Sequence, residues 1–153
     1  MAQAHDLQEK KICVVEGSTG AETHIPGATM TQVQTTQDCL DLLNSNNTDA
    51  AFTAALILYG YINANPGKYI VVLPGVFGEL QYAGVRLKGG HHADCVKLNE
   101  ALTGFLNNEW VQDFQIDFPV ASKTYTGSND SIGNYISVFK PTADDLRQLS
   151  CKL

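Results

Sequence analysis

The sequence predicts an α/β fold: a three-layer open sheet with helices on both faces, followed by a C-terminal extension. Two observations carry this. Short β-branched or alternating runs take turns with stretches of helical spacing, in the order strand, helix, strand, helix, strand, helix, strand, strand, helix. The 44% hydrophobic and 17% charged shares suit a chain of 153 residues with a real core.

Each element has a local reason. Residues 12–15 (ICVV) form a buried strand that ends at Gly17. Residues 18–25 (STGAETHI) open a short helix, stopped by the Pro-Gly that follows. Residues 29–34 (TMTQVQ) alternate as a strand should. Residues 35–47 (TTQDCLDLLNSNN) make a helix, with Thr36 or Asp38 as cap and Cys39, Leu40, Leu42 and Leu43 on its buried side.

Residues 48–54 (TDAAFTA) are small and apolar, as in a central strand. Residues 55–67 (ALILYGYINANPG) form a helix closed by Asn-Pro-Gly. Residues 68–75 (KYIVVLPG) carry the strongest strand signal, and 80–90 (LQYAGVRLKGG) a further strand ending in a glycine turn. Residues 91–114 make one long helix, with Cys95, Leu98, Leu102, Phe105 and Leu106 at helical spacing. Beyond Pro119 the polar residues 121–137 read as loop or extended wrap. Residues 141–153 close the chain as a short helix with Thr142 as cap and Asp144 and Asp145 in its first turn.

Charge excludes some partners. Ten basic against sixteen acidic residues give a net −6, which offers no basic patch to nucleic acid or to an anionic membrane surface. No apolar run is long enough to span a bilayer. The first residues lack the basic-then-apolar layout of a signal segment, so the chain is either cytosolic or an excised mature piece. Cys13, Cys39, Cys95 and Cys151 include no Cys-x-x-Cys pair, which disfavours structural zinc. Buried thiols and two disulfides both remain open, and four cysteines allow three pairings.

The junction KICVVEGSTGAE, then TTQDCLDLLNSNNTDAAFTAALILYGY, ELQYAGVRLKGG and KLNEALTGFLNNEW, follow one another in an order that resembles bacterial extracytoplasmic solute-binding proteins for polar amino acids, of the glutamate/glutamine-binding type. The resemblance covers residues 7–118 and leaves 119–153 as a C-terminal wrap and short helix tied back to that lobe. It implies a single lobe, the second, of a type II periplasmic-binding-protein fold. In the family a first lobe supplies an arginine and aromatic residues to the ligand, and no segment here matches it. The resemblance also implies that Cys13 pairs with Cys39, which leaves Cys95 with Cys151. On chain entropy the shorter loop is worth about 3 kcal/mol and the longer about 4 kcal/mol.

Ligand-binding residues carried over by the resemblance are Gly17, Ser18, Thr19, Thr53, Ala54 and Tyr82. A glycine turn entering a helix offers backbone N–H groups and a positive helix end to a carboxylate. The bland alternative is that Ser18 or Thr19 only caps the helix. Glu16 would oppose an anion if it faced inward, but strand alternation turns it away. The family reads Asp-Ala-x-x-Thr-Asp-Asp where this chain has DAAFTAA (49–55), so Asp49 and Thr53 remain while Ala54 replaces the carboxylate that grips a ligand ammonium.

Other features weigh less. His91 and His92 read as a solvated turn before a metal site, and Trp110 as a core residue. Asn46 and Asn129 sit in glycosylation-type triplets. No nucleophile stands beside a base, so the chain reads as a non-enzyme with no cofactor and no metal.

The resemblance thus implies an extracytoplasmic lobe that binds an amino acid or related carboxylate, serving an importer or a sensor. Its partners would be a small carboxylate or amino-acid ligand, a membrane transporter or receptor, and, as a homodimer, a second copy of the chain. The alternative is a degenerate lobe used as a sensory or protein-interaction module, such as the ectodomain of a membrane receptor or kinase.

Overall fold

The computed structural model describes residues 3–78, 85, 87–124 and 135–151. They fall into two compact units, one of residues 3–78 and one of the described residues from 85 onward.

The first unit is an open parallel α/β sheet flanked by helices, the class that the alternation predicts. After a 3-10 turn at Ala4–Leu7 come β1 (Lys11–Val15), α1 (Thr19–Glu22), β2 (Thr29–Val33), α2 (Thr36–Asn44), β3 (Ala50–Ala51) and α3 (Ala55–Ala64). The order across the sheet is β2-β1-β3. Both pairings are parallel, with Cys13 opposite Thr31 on one side and Ala51 on the other. The central strand is therefore β1, not the 48–54 segment, whose ladder is only two residues long.

A strand covered on both faces should be apolar in succession, and β1 is so beyond its exposed first residue, Lys11. Ile12, Cys13 and Val14 are all fully buried. Ile12 joins Leu7 and Ile25 in one core, with Met30, Phe52, Leu73 and Phe77 packed around them. Successive side chains alternate faces, so Cys13 points the other way. There it is bonded to Cys39 of α2, with Cα atoms 5.4 Å apart.

Helix α2 is capped one residue earlier than the sequence suggests. Thr35 is the cap, its hydroxyl accepting from Asp38 N at 3.1 Å, while the Asp38 carboxylate accepts from Thr35 N at 2.9 Å. Asp38 is thus the reciprocal half of a capping box. At the other end Asn46 adopts a left-handed φ of 56°. Its N–H bonds Leu43 O at 3.2 Å and the next amide, Asn47 N, bonds Leu42 O at 2.9 Å. This is the Schellman arrangement. Asn46 serves the turn.

Residues 68–75, the strongest predicted strand, belong to no ladder. Leu73 takes a left-handed φ of 53° and packs into the Ile12 core, which breaks the extended run, while Ile70 is 83% exposed. Tyr69 instead donates its hydroxyl to Asn44 Oδ1 at 2.9 Å. Of residues 80–90, the described ones lie in no strand, and the rest, Tyr82 included, lie outside the described residues.

The second unit is helical: α4 (His92–Asn108), α5 (Trp110–Asp117), α6 (Pro119–Thr124), α7 (Tyr135–Phe139) and α8 (Ala143–Leu149). The long predicted helix breaks at Glu109, where φ is −119°. Just before it, the Asn108 side chain donates to Gly104 O at 2.8 Å, competing for helix carbonyls as short amides do. The segment expected as loop after Pro119 starts instead as α6, because proline suits a first helical position. Residues 125–134, with Asn129, lie outside the described residues.

Aromatic stacking organises this unit. Phe114 stacks on Trp110 at 4.8 Å, on Tyr135 at 5.0 Å and on Phe139 at 5.7 Å, which seats α7 on α5. Trp110 is half-buried in this stack, close to the core role predicted for it. Thr142 caps α8 as predicted, accepting from Asp145 N at 3.1 Å. Cys151 is bonded to Cys95 of α4.

Candidate functional site

In a doubly wound sheet, ligands gather where chain direction reverses across the strand order, beyond the carboxyl ends of the strands. Here the chain steps from β1 to β2 on one side, then crosses to β3 on the other. The reversal lies between β1 and β3. The two turns that leave this point are Glu16–Thr19 and Phe52–Ala54, which hold five of the six residues picked from the sequence.

Phe52 N donates to Cys13 O at 2.8 Å, which continues the parallel register past the two ladder residues of β3. Across the gap, Gly20 of α1 lies so close that a Cβ there would stand 3.4 Å from both Phe52 Cδ1 and Phe52 O. Phe52 is held in turn by Phe77, edge to face at 6.3 Å. Gly20 and Phe52 were not among the residues selected from sequence. The signal that could have found them is a helical glycine facing an aromatic residue in the neighbouring turn.

The first turn is built by Gly17, whose φ of 69° is a left-handed conformation that side chains resist. Gly17 and Thr19 are exposed and Ser18 is half-buried. Ser18 caps α1: its hydroxyl accepts from Ala21 N at 3.3 Å and donates to Val15 O at 2.6 Å. A hydroxyl has a single proton, so Ser18 Oγ as placed can accept from a ligand but cannot donate to one. Ser18 N also bonds Val15 O, at 3.1 Å. Glu16 is exposed and takes a hydrogen bond from Gln34 Nε2, so its charge is engaged at the β2 edge.

The second turn is neutral. Thr53 is half-buried and Ala54 exposed. Ala54 occupies the cap position of α3, where its carbonyl accepts from Ile57 N at 3.0 Å while its side chain makes no cap bond. Helix caps are usually Ser, Thr, Asp or Asn, each of which would fill the space before the first turn. Asp49 sits at the opposite end of β3. Its carboxylate accepts from Lys11 N at 2.8 Å, so it locks register and stands away from the reversal point.

The histidines assemble nothing comparable. His91 and His92 are exposed, His91 contacts Asp94 at 2.7 Å, and no metal-binding group of three ligands occurs among the described residues. No described helix is long and apolar enough to cross a membrane.

No family model matches the sequence, and no solved structure matches it. Two curated proteins do. The glutamate-binding protein GluB of Corynebacterium glutamicum is 33% identical over 97 residues, covering 60% of this chain. That of Corynebacterium efficiens is 36% identical over 64 residues, covering 40% of it. This chain spans about a third of the first relative's length and about a fifth of the second's, at 33% and 22%. It is therefore similar, over part of its length, to bacterial proteins named for binding glutamate.

Proposed function

We propose that the first unit is a solute-binding half-site for an amino acid or a related small carboxylate, working outside the cytoplasm. The observation that carries this is the meeting of Gly17–Thr19 and Thr53–Ala54 at one reversal point of a parallel sheet. Two helix starts, those of α1 and α3, lie at the same edge, and their positive ends favour an acid group. The names of the two similar proteins support the same ligand class. Two formed disulfides fit an oxidising compartment.

In this reading Gly17 lets the ligand approach the main chain, Ser18 Oγ accepts from a ligand N–H, Thr53 faces its polar atoms, and Ala54 leaves room beside the start of α3. Tyr82 is kept as a contact on the strength of the resemblance alone. Among the described residues the carboxylate of these turns is that of Glu16, held by Gln34 at the β2 edge, so dicarboxylates should compete well with amino acids. An importer or a sensor is the partner that such a unit would serve.

Isothermal titration against glutamate, glutamine, aspartate and four-carbon dicarboxylates tests the proposal. Saturable heat that is lost in Thr53→Val, with folding unchanged by circular dichroism, supports it. Flat titrations throughout would favour the other reading, a lobe whose fold survives as an interaction or sensory module. The exposed methyl of Ala54 in place of an acid is what speaks for that second reading. Gel filtration would show whether two chains pair to complete a cleft.

A further inference from the structure

The two disulfides occupy opposite environments. Cys13 is 0% exposed and Cys39 2%, sealed between β1 and α2. Cys95 and Cys151 are both part-exposed, and Cys95 lies in the first turn of α4. Thiol–disulfide exchange needs a thiolate to reach a sulfur, so access separates the two bridges before any other factor.

What the part-exposed bridge holds is a short helix that packs on α4 without burying any residue fully. Helix α8 has seven residues and buries none of them. Its polar contacts are largely its own: the capping box joins Thr142 to Asp145, and Arg147 pairs with Asp144. Among the described residues, its polar ties to α4 are the bridge and one long hydrogen bond, Asn99 Nδ2 to Leu146 O at 3.4 Å, beside the packing of part-buried Leu146. A helix this short is marginal without tertiary support. At the bridge itself Cys151 holds a left-handed φ of 56°, a conformation that a residue with a Cβ adopts at a cost. Cleavage of the bridge removes that restraint. Between α4 and α8 runs a groove of about 660 Å³, lined by Val96, Asn99, Thr103 and Leu146 among others.

We infer that Cys95–Cys151 is a redox latch. A dithiol reductant of the Cys-x-x-Cys type opens it, α8 leaves α4, and the Val96–Thr103 face is uncovered while Cys13–Cys39 stays intact. The exchange balances. A reductant thiolate attacks one protein sulfur and the S–S bond breaks to give a mixed disulfide. The second reductant thiolate then resolves that intermediate. Two electrons and two protons end on Cys95 and Cys151, and the reductant leaves as its own disulfide.

The test uses the full chain, equilibrated with graded reduced and oxidised dithiothreitol, alkylated, and read by peptide mass spectrometry. The expected result is alkylation of Cys95 and Cys151 at a reductant-to-oxidant ratio about tenfold or more below that needed for Cys13 and Cys39. Limited proteolysis should then cut within 143–149 only after the latch opens. The variant Cys151→Ser should show the same cuts without reductant. Simultaneous reduction of both bridges, earlier reduction of Cys13–Cys39, or an α8 that resists protease once its bridge is open or absent would overturn the inference.

Discussion

Gly20 packs directly against Phe52, with room for no side chain larger than a methyl between them, since a Cβ would already stand 3.4 Å from three atoms. This contact sets the spacing of the two turns at the reversal point. Gly20→Leu is therefore predicted to destabilise the protein by about 1–3 kcal/mol through overpacking. Gly20→Ala should change stability by less than about 1 kcal/mol, because the tight contact is offset by better helix propensity. Urea melts of the two variants check this. Equal midpoints would mean that Phe52 simply swings aside.

Ala54→Asp should act twice. As a helix cap it is predicted to stabilise α3 by about 1 kcal/mol whether or not anything binds. As a carboxylate beside Thr53 it should tighten binding of a ligand bearing an ammonium by about ten- to a hundredfold, the value of a charge-assisted bond. Titration with glutamate, alongside thermal melts of the ligand-free protein, separates the two effects. A gain in stability without any gain in affinity would place the ligand elsewhere.

Removing the buried bridge with Cys13→Ala and Cys39→Ala together should cost more than the about 3 kcal/mol expected from chain entropy for a closed loop of that length. Both sulfurs also fill core volume between β1 and α2, so the double variant should lose more than the chain-entropy value alone. Denaturant midpoints measured under oxidising conditions report the sum.

The Asp145 carboxyl is held below the ordinary carboxylate range, first by the Thr142 backbone N–H and then by the Thr142 hydroxyl. A depressed folded value means that this contribution is complete above the unfolded carboxylate pKa and fades as pH falls through the folded one. Helix α8 should therefore loosen at acidic pH, while at neutral pH the cap is intact. The amide resonance of Thr142 should titrate with Asp145. In Asp145→Asn that acid-side transition should vanish.

The sequence was most legible where local and long-range forces agree. Ile12, Cys13 and Val14 read as buried and are, and Thr142 reads as a cap and is. The 68–75 run failed because residue preference cannot supply a hydrogen-bonding partner. Its Leu73 turns into the Ile12 core with a left-handed φ instead of extending. The break at Glu109 was hidden because apolar spacing continues through it from Leu106 to Trp110. At the candidate site the glycine turn was readable, while the engagement of the Ser18 proton and the closeness of Phe52 depend on tertiary placement.

The neutral second turn has an evolutionary corollary. Every alanine codon is one base from a codon for aspartate or glutamate, so position 54 lies a single point mutation from carrying a charge. Because Ala54 is exposed and its side chain makes no cap bond, such a change would need no rebuilding of the scaffold. In the proposed reading, natural variants of this chain should therefore diverge in ligand preference at residue 54 well before they diverge in shape.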